Sequence, residues 1–390
     1  MDPKKKQTTV EQIMIEFAGL TGLTPSGSFP KRYLWTDAFA VCNFLELYRR
    51  THDEKFKHLC LRLVNQVHHV LGRHRDDDRR TGWISGLPEE EGRNHPTIGG
   101  LRIGKKMKER SPGEPYDDRL EWERDGQYYH YLTKWMHALH KLSRITGDPI
   151  YHKRAHELAK TAHAKFVHVS PAGRKIMNWK MSIDLSSPSV PSTGHHDPLD
   201  GFITYSELKS SALKNWPHIN FPDLSEEIDD MEEICRGKQW TTEDPLGLGG
   251  LLSDTYRVAQ MMPDRTFDRT GLLSTLLKDC RSGLYLYAQS PSLGLRAEYR
   301  LAFRELGLSI GLHALERTKK LAEKSAGIFQ DEKRSSIDIE FIMPYIPLID
   351  IIENFWLEPS SREAASWLDH REINMVMLST SLAPDEYLTL

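Results

Sequence analysis

The stretch GQYYHYLTKWMHALHKLSRITGDPIYHKRAHELAKTAHAKF, residues Gly126 to Phe166, decides the fold. Tyr128, Tyr131, Leu132, Trp135, Leu139 and Leu142 recur at helical spacing, so one stripe of a helix is apolar. Gly147-Asp148-Pro149 then stops that helix and starts another, because glycine accepts the left-handed C-terminal turn and proline is tolerated in a first turn. Ala155, Leu158, Ala159, Ala162 and Phe166 share one face of the second helix. The segment predicts two antiparallel helices joined by a tight turn.

The same grammar recurs along the 390 residues. Tyr33 to Arg50 predicts a helix that turns at Thr51-His52-Asp53 into a second, ending near Leu71. Further pairs are expected over Pro198 to about Leu213 with Leu224 to Cys235, and Leu248 to Met262 with Gly271 to about Ser290. The last two are Tyr299 to Glu316 with a partner near Lys319 to Phe329, and Ile337 to Trp356 with Ser361 to about Leu382. Twelve helices in six pairs is the number required by a closed double-layered toroid, an all-α (α/α)6 barrel. The expectation is therefore one domain over 1–390 with an N-terminal extension of about ten residues; the alternative is an irregular helical solenoid. First members of several pairs are apolar around most of their circumference, as inner helices require, whereas second members show one stripe. Gly307 and Gly311 are placed to let neighbouring helices approach closely. The long connections, about 72–125 and 169–197, both lead into an inner helix and so belong on one working face.

A formal net charge of -3 with interspersed signs gives no reason to expect a nucleic-acid or anionic-membrane partner, and Lys4 to Lys6 reads as a solvated terminus. Cys42, Cys60, Cys235 and Cys280 lack any C-x-x-C spacing and read as reduced core thiols. The apolar run Phe341 to Ile352 is short and broken by Pro344, Pro347 and Asp350, so a soluble, cytoplasmic protein is expected. Neither a metal nor a cofactor is expected, and the oligomeric state is left open.

Two stretches stand before inner helices: Arg32-Tyr33-Leu34-Trp35-Thr36-Asp37 and Trp122-Glu123-Arg124-Asp125-Gly126-Gln127-Tyr128-Tyr129-His130. With the alternating helices and one-sided long loops, they resemble the six-hairpin glycosidase superfamily and the related N-acylglucosamine 2-epimerase-like toroids, over nearly the whole chain. That resemblance implies a carbohydrate-active enzyme acting on a sugar or sugar acid.

Such chemistry needs groups that move protons, aromatic rings that stack on sugars, and polar groups that bind hydroxyls. The catalytic candidates are Asp37, Asp125, Asp197 and Glu298, with Trp35, Trp122, Tyr128, His130, His195, His196, Asp200, Trp240 and Arg304 as substrate contacts. Asp37, Asp125 and above all Asp197, which precedes Pro198, also suit helix capping. His152 and His156 stand one turn apart, but Lys153 occupies the glutamate position of a zincin motif, and the pair reads as a surface pair on an outer helix. Gly247 to Gly250 reads as a tight helix start, and no G-x-S-x-G is present. A glycoside hydrolase with an acidic pair is the leading expectation. Sugar epimerisation or isomerisation through His130, His195 or His196 is the alternative, followed by a non-catalytic binding scaffold.

Overall fold

The computed structural model describes every residue except 1, 26–29, 112, 191, 264–266, 268–270 and 325–332. It is all-α, built from antiparallel helix pairs, with two small two-stranded sheets among the described residues. The chain divides into two compact units, Ala18–Arg236 and Met1–Phe17 with Gly237–Leu390.

The chain opens with α1 (Pro3–Leu20), where the sequence suggested only a short extension. Val10, Met14 and Phe17 are buried along one side of it. Lys6 is no free terminal charge either, because its Nζ lies 2.9 Å from the buried carboxylate of Glu353.

The unit Ala18–Arg236 contains α2 (Leu34–Thr51) and α3 (Glu54–Leu71), followed by the short helices α4 (Glu89–Asn94) and α5 (Asp118–Glu123). Strand β1 (Gln127–Tyr128) leads into α6 (Tyr129–Thr146) and α7 (Pro149–Phe166). Strands β2 (Val167–Val169), β3 (Lys175–Met177) and β4 (Lys180–Met181) precede α8 (Asp197–Asn215) and α9 (Ser225–Cys235). Both α2-to-α3 and α6-to-α7 turns obey one local rule: a left-handed residue ends the first helix (His52, φ 55°; Gly147, φ 70°). An aspartate then caps the second, Asp53 accepting from Lys55 N and Asp148 from Ile150 N, each at 3.0 Å. Helix α2 is buried without a break from Leu34 to Leu47, and α8 from Asp197 to Leu208, whereas α3 buries one stripe. That contrast is the inner and outer character expected from the sequence.

The other unit holds α10 (Pro245–Met261), α11 (Leu272–Ala288) and α12 (Ala302–Lys324). Helix α12 runs 23 residues, through the start of the expected Lys319–Phe329 partner; positions 325–329 of that expectation lie outside the described residues. The expected Ile337–Trp356 helix is two, Lys333–Ile342 and Leu348–Leu357, separated by a 3-10 turn at Met343–Tyr345 where Pro344 removes a backbone donor. The last long helix starts only at Arg371 and is buried from Asn374 to Leu382, an inner rather than an outer pattern. Buried Glu353 ties the unit together. It accepts from Lys6 and Ser381 at 2.9 Å each and lies 3.0 Å from His313 Nε2 on α12. Hydrogen bonds to Glu316 and Glu353 raise the His313 pKa against the opposing effect of burial.

Helices α10 and α12 meet through glycine. A Cβ on Gly249 would run into the Gly307 carbonyl, and one on Gly311 would sit 2.6 Å from Gly249 Cα. Within Gly247 to Gly250, Gly249 thus serves a close helix crossing rather than only a tight start. Gly250, one residue on, faces open space. Gly249→Ala is therefore expected to destabilise the fold by about 1–3 kcal/mol through forced separation. Gly250→Ala should stabilise it by about 0.5–1 kcal/mol through chain entropy. Chemical denaturation of both variants checks the pair, and equal effects would remove the steric explanation.

Candidate functional site

The site grows from the start of α6. Gly126 has a positive φ of 152°, and a Cβ there would stand 2.6 Å from the Met181 carbonyl. Glycine thus lets β1 and β4 pair antiparallel, Gln127 opposite Met181 and Tyr128 opposite Lys180. The Gln127 amide donates to Gly99 O (3.0 Å) and Ile183 O (2.7 Å), and its carbonyl accepts from Leu101 N (2.8 Å). Both long connections are fastened to one buried side chain. Arg80 adds a second tie, pairing with Asp78 and Glu109 in the first connection and with Asp184 in the second (2.7 Å).

This knitting lines up an aromatic row. Trp122 lies 4.9 Å from Trp179, Trp179 stacks on Tyr128 at 5.1 Å, and Tyr128 stacks on His130 at 5.5 Å with planes 12° apart. Tyr131 meets the Tyr128 and His130 rings edge-on, and its hydroxyl shares a hydrogen bond with Tyr33 at 2.9 Å. Trp35 follows at 6.4 Å from Tyr131. Trp179 Nε1 donates to Ser192 Oγ at 2.7 Å, and Lys105 Nζ stands 3.2 Å from the Tyr128 hydroxyl. Burial holds the Lys105 pKa below its ordinary value and lifts that of Tyr128 far above, keeping the phenol neutral. Trp122, at one end of the row, is 53% exposed.

At the other end His130 Nδ1 faces Asp197 Oδ1 at 3.6 Å, the histidine about a third exposed (34%) and the aspartate buried. Among the described residues no protein group hydrogen-bonds His130 Nε2. Asp197 is the first residue of α8 rather than its cap, and its buried Oδ2 has no hydrogen-bond partner. The positive end of the α8 dipole offsets part of the cost of holding that carboxylate out of water. Gly194 leaves space for it, since a Cβ there would run into the carboxylate. A carboxylate-oriented imidazole with an open Nε2 can take and return a proton, and such distances are commonly long before substrate binds.

The starts of α2, α6 and α8 thus bring together Trp35, Trp122, Tyr128, His130 and Asp197. His195 is exposed and His196 half-buried just before α8, their rings 4.5 Å apart. The remaining candidates have other work. Asp200 is held by Thr133 Oγ1 (2.5 Å) and Lys134 Nζ (2.9 Å). Asp125, fully buried, accepts from Arg102 and Gly104 N at 2.9 Å and from Arg75 and Lys105 N at 3.2 Å. Asp37 accepts from Tyr33 N at 3.0 Å and pairs with Arg32 at 3.3 Å, and burial raises its pKa to about 6. Glu298, Arg304 and Trp240 belong to the Gly237–Leu390 unit. There Glu298 pairs with Arg296 on the surface (3.0 Å), Arg304 pairs with Asp244, and Trp240 is core. Sequence reasoning passed over Trp179, Tyr33 and Tyr131; only an aromatic residue inside a long connection marked the first.

The carboxylates carry two stability predictions. Asp125→Asn turns an amide N–H toward a buried donor and is expected to cost about 3–5 kcal/mol in urea denaturation. A loss under about 1 kcal/mol would show that the arginines find other acceptors. Folding makes Asp37 easier to protonate, so its contribution is full below about pH 4 and is lost as the pH rises through about 6. Asp37→Asn does not titrate, so its Tm deficit against the parent chain should narrow across that window. A deficit that widens would reverse the assignment.

No family model matches the sequence, and no curated protein matches it. Among solved structures the chain is similar to cellobiose 2-epimerase from Spirochaeta thermophila, over 95% of this chain and 97% of that one, at 12% identity and a TM-score of 0.46.

Proposed function

We propose that this chain is a carbohydrate-active enzyme that moves a proton on a sugar or sugar acid, as an epimerase or isomerase, with His130 as the proton carrier. The observation that carries the reading is the His130–Asp197 pair at 3.6 Å, set at the end of the aromatic row. Asp197 selects the tautomer in which His130 Nδ1 bears hydrogen, leaving the Nε2 lone pair as the base. In an open-chain aldose Nε2 takes the C2 proton while the C2–H electron pair moves toward C1 and the carbonyl oxygen, giving an enediolate. Reprotonation at C2 from the opposite face yields the epimer, and protonation at C1 yields the ketose. His195 and His196 are the candidates for the second carrier. Trp122, at the exposed end of the row, offers an aromatic surface on which the carbon-bound hydrogens of a sugar ring can pack.

An acidic pair for glycoside hydrolysis has less support. Asp37 and Asp125 spend their oxygens on arginine and backbone donors, Asp200 on Thr133 and Lys134. Asp197 by contrast is buried and keeps one carboxylate oxygen without a hydrogen bond, with no arginine against it among the described residues.

The test is proton exchange. Aldoses, cello-oligosaccharides and uronic acids are incubated with the protein in D2O, and deuterium at C2 is followed by proton NMR. His130→Asn is expected to lower the exchange rate by about 10²- to 10⁴-fold, and Asp197→Asn to lower it less while shifting the pH profile. Exchange untouched in His130→Asn, or hydrolysis of a glycosidic bond without exchange, would sink the reading.

A further inference from the structure

Most cations around the aromatic row already face an acid. Arg75 and Arg102 lie on Asp125, Arg110 on Glu121 at 3.0 Å, Arg124 on Glu114, and Lys134 on Asp200 at 2.9 Å. Lys180 stands 3.8 Å from Glu121. Lys105 differs, having no carboxylate at ion-pair distance among the described residues. Its Nζ donates to the Trp122 carbonyl and, at 3.2 Å, to the Tyr128 hydroxyl. Burial depresses its pKa, and Glu123 and Asp125 offset part of that from longer range.

Hydrogen positions follow from the ammonium, which can only donate. It has three N–H bonds, so one hydrogen of Lys105 has no protein partner among the described residues. For the same reason the Tyr128 oxygen is the acceptor of their contact, and the phenol's own hydrogen meets no acceptor among the described residues. Tyr128 is 3% exposed, so a hydroxyl hydrogen left unmet there is costly. The Tyr33 and Tyr131 hydroxyls share one hydrogen bond at 2.9 Å, and whichever oxygen accepts keeps a free hydrogen of its own. Tyr131 lies edge-on to Tyr128 at 5.0 Å, so this hydroxyl pair belongs to the same cluster. The cluster supplies hydrogens and one uncompensated positive charge, and its complement is an anion with oxygen acceptors. A single cation matches a carboxylate better than a phosphate dianion.

Scale points the same way. Lys105 Nζ lies 5.2 Å from the centre of the Tyr128 ring, and the His130 ring lies 5.5 Å from it. Charge receptor and proton carrier thus stand against one phenol, close enough for the two ends of a six-carbon acid. With the row read as the sugar site proposed above, we propose that its substrate is a hexuronic acid whose carboxylate accepts the free hydrogens of Lys105 and Tyr128.

The test is calorimetric titration of the full chain with glucuronate and galacturonate against glucose and galactose. Each uronate is expected to bind about tenfold or more tighter than its neutral sugar, the size of a hydrogen bond to a charged group. Lys105→Met should abolish that preference and leave the neutral sugars unchanged, while Lys105→Arg keeps part of it. Should Lys105→Met fail to fold, Tyr128→Phe removes one hydroxyl and is expected to weaken the uronates alone. Equal binding of uronates and neutral sugars would overturn the proposal, as would a preference that survives both variants, tighter binding of glucose 6-phosphate, or no uronate binding at all. Binding and chemistry separate cleanly. A uronate preference without deuterium exchange leaves the carboxylate site standing and sinks the role of His130, and exchange without the preference does the reverse.

Discussion

The site depends on one buried carboxylate. Asp125 has no contact with water, yet it carries two arginines and two consecutive backbone donors. Its partners come from both halves of the 72–125 connection, so it draws a long irregular segment into one shape. Arg102 extends the effect by also donating to Arg73 O and Val70 O, which fastens that shape to the end of α3. A charge in such a place is stable only when nearly every lone pair is met, and here donors from Arg75, Arg102, Gly104 and Lys105 meet it. Gly126 follows, and then β1, Gln127–Tyr128, which carries the middle of the aromatic row. Order in the row is therefore inherited from electrostatics in the loop.

The hairpins were legible because their causes are local. A left-handed residue followed by an aspartate cap needs about four neighbouring residues, and His52-Asp53 and Gly147-Asp148 both supply it. Helix α1 carries a local signal too, Val10, Met14 and Phe17 at helical spacing, behind the charged Lys4 to Lys6. Pairings between distant segments could not be read this way. Asp197 before Pro198 looks like a cap in sequence, and only the fold shows that the helix begins on it and that His130 stands opposite. Asp125 and Asp37 likewise stand near helix starts, yet their neighbours from elsewhere in the chain give them different tasks. His152 and His156 sit on a helix with charged neighbours, and their burial comes from Trp216 and Phe221, some 60 residues on.

Two kinds of histidine occur within one unit, one partly exposed and one buried, and their surroundings separate them. Among the described residues His130 keeps one nitrogen clear of protein donors and acceptors, with a ring face on Tyr128 and an edge on Tyr131. His140, His152 and His156 use both nitrogens, ending on backbone carbonyls that cannot change role. An imidazole committed on both sides specifies packing, whereas one committed on a single side is available for chemistry.

Spacing on α8 connects the two. Asp197, Asp200 and Glu207 are buried on the helix that faces α6, where His130, Thr133, Lys134, His137 and His140 answer them. An apolar seam would pack these helices at less desolvation cost, but it would also tolerate sliding by a turn. Discrete acid–base pairs do not, because a shift of one turn, about 5.4 Å, would leave several charges buried without partners. The register of α8 against α6 is thus fixed by polar pairing, and that register is what puts Asp197 opposite His130.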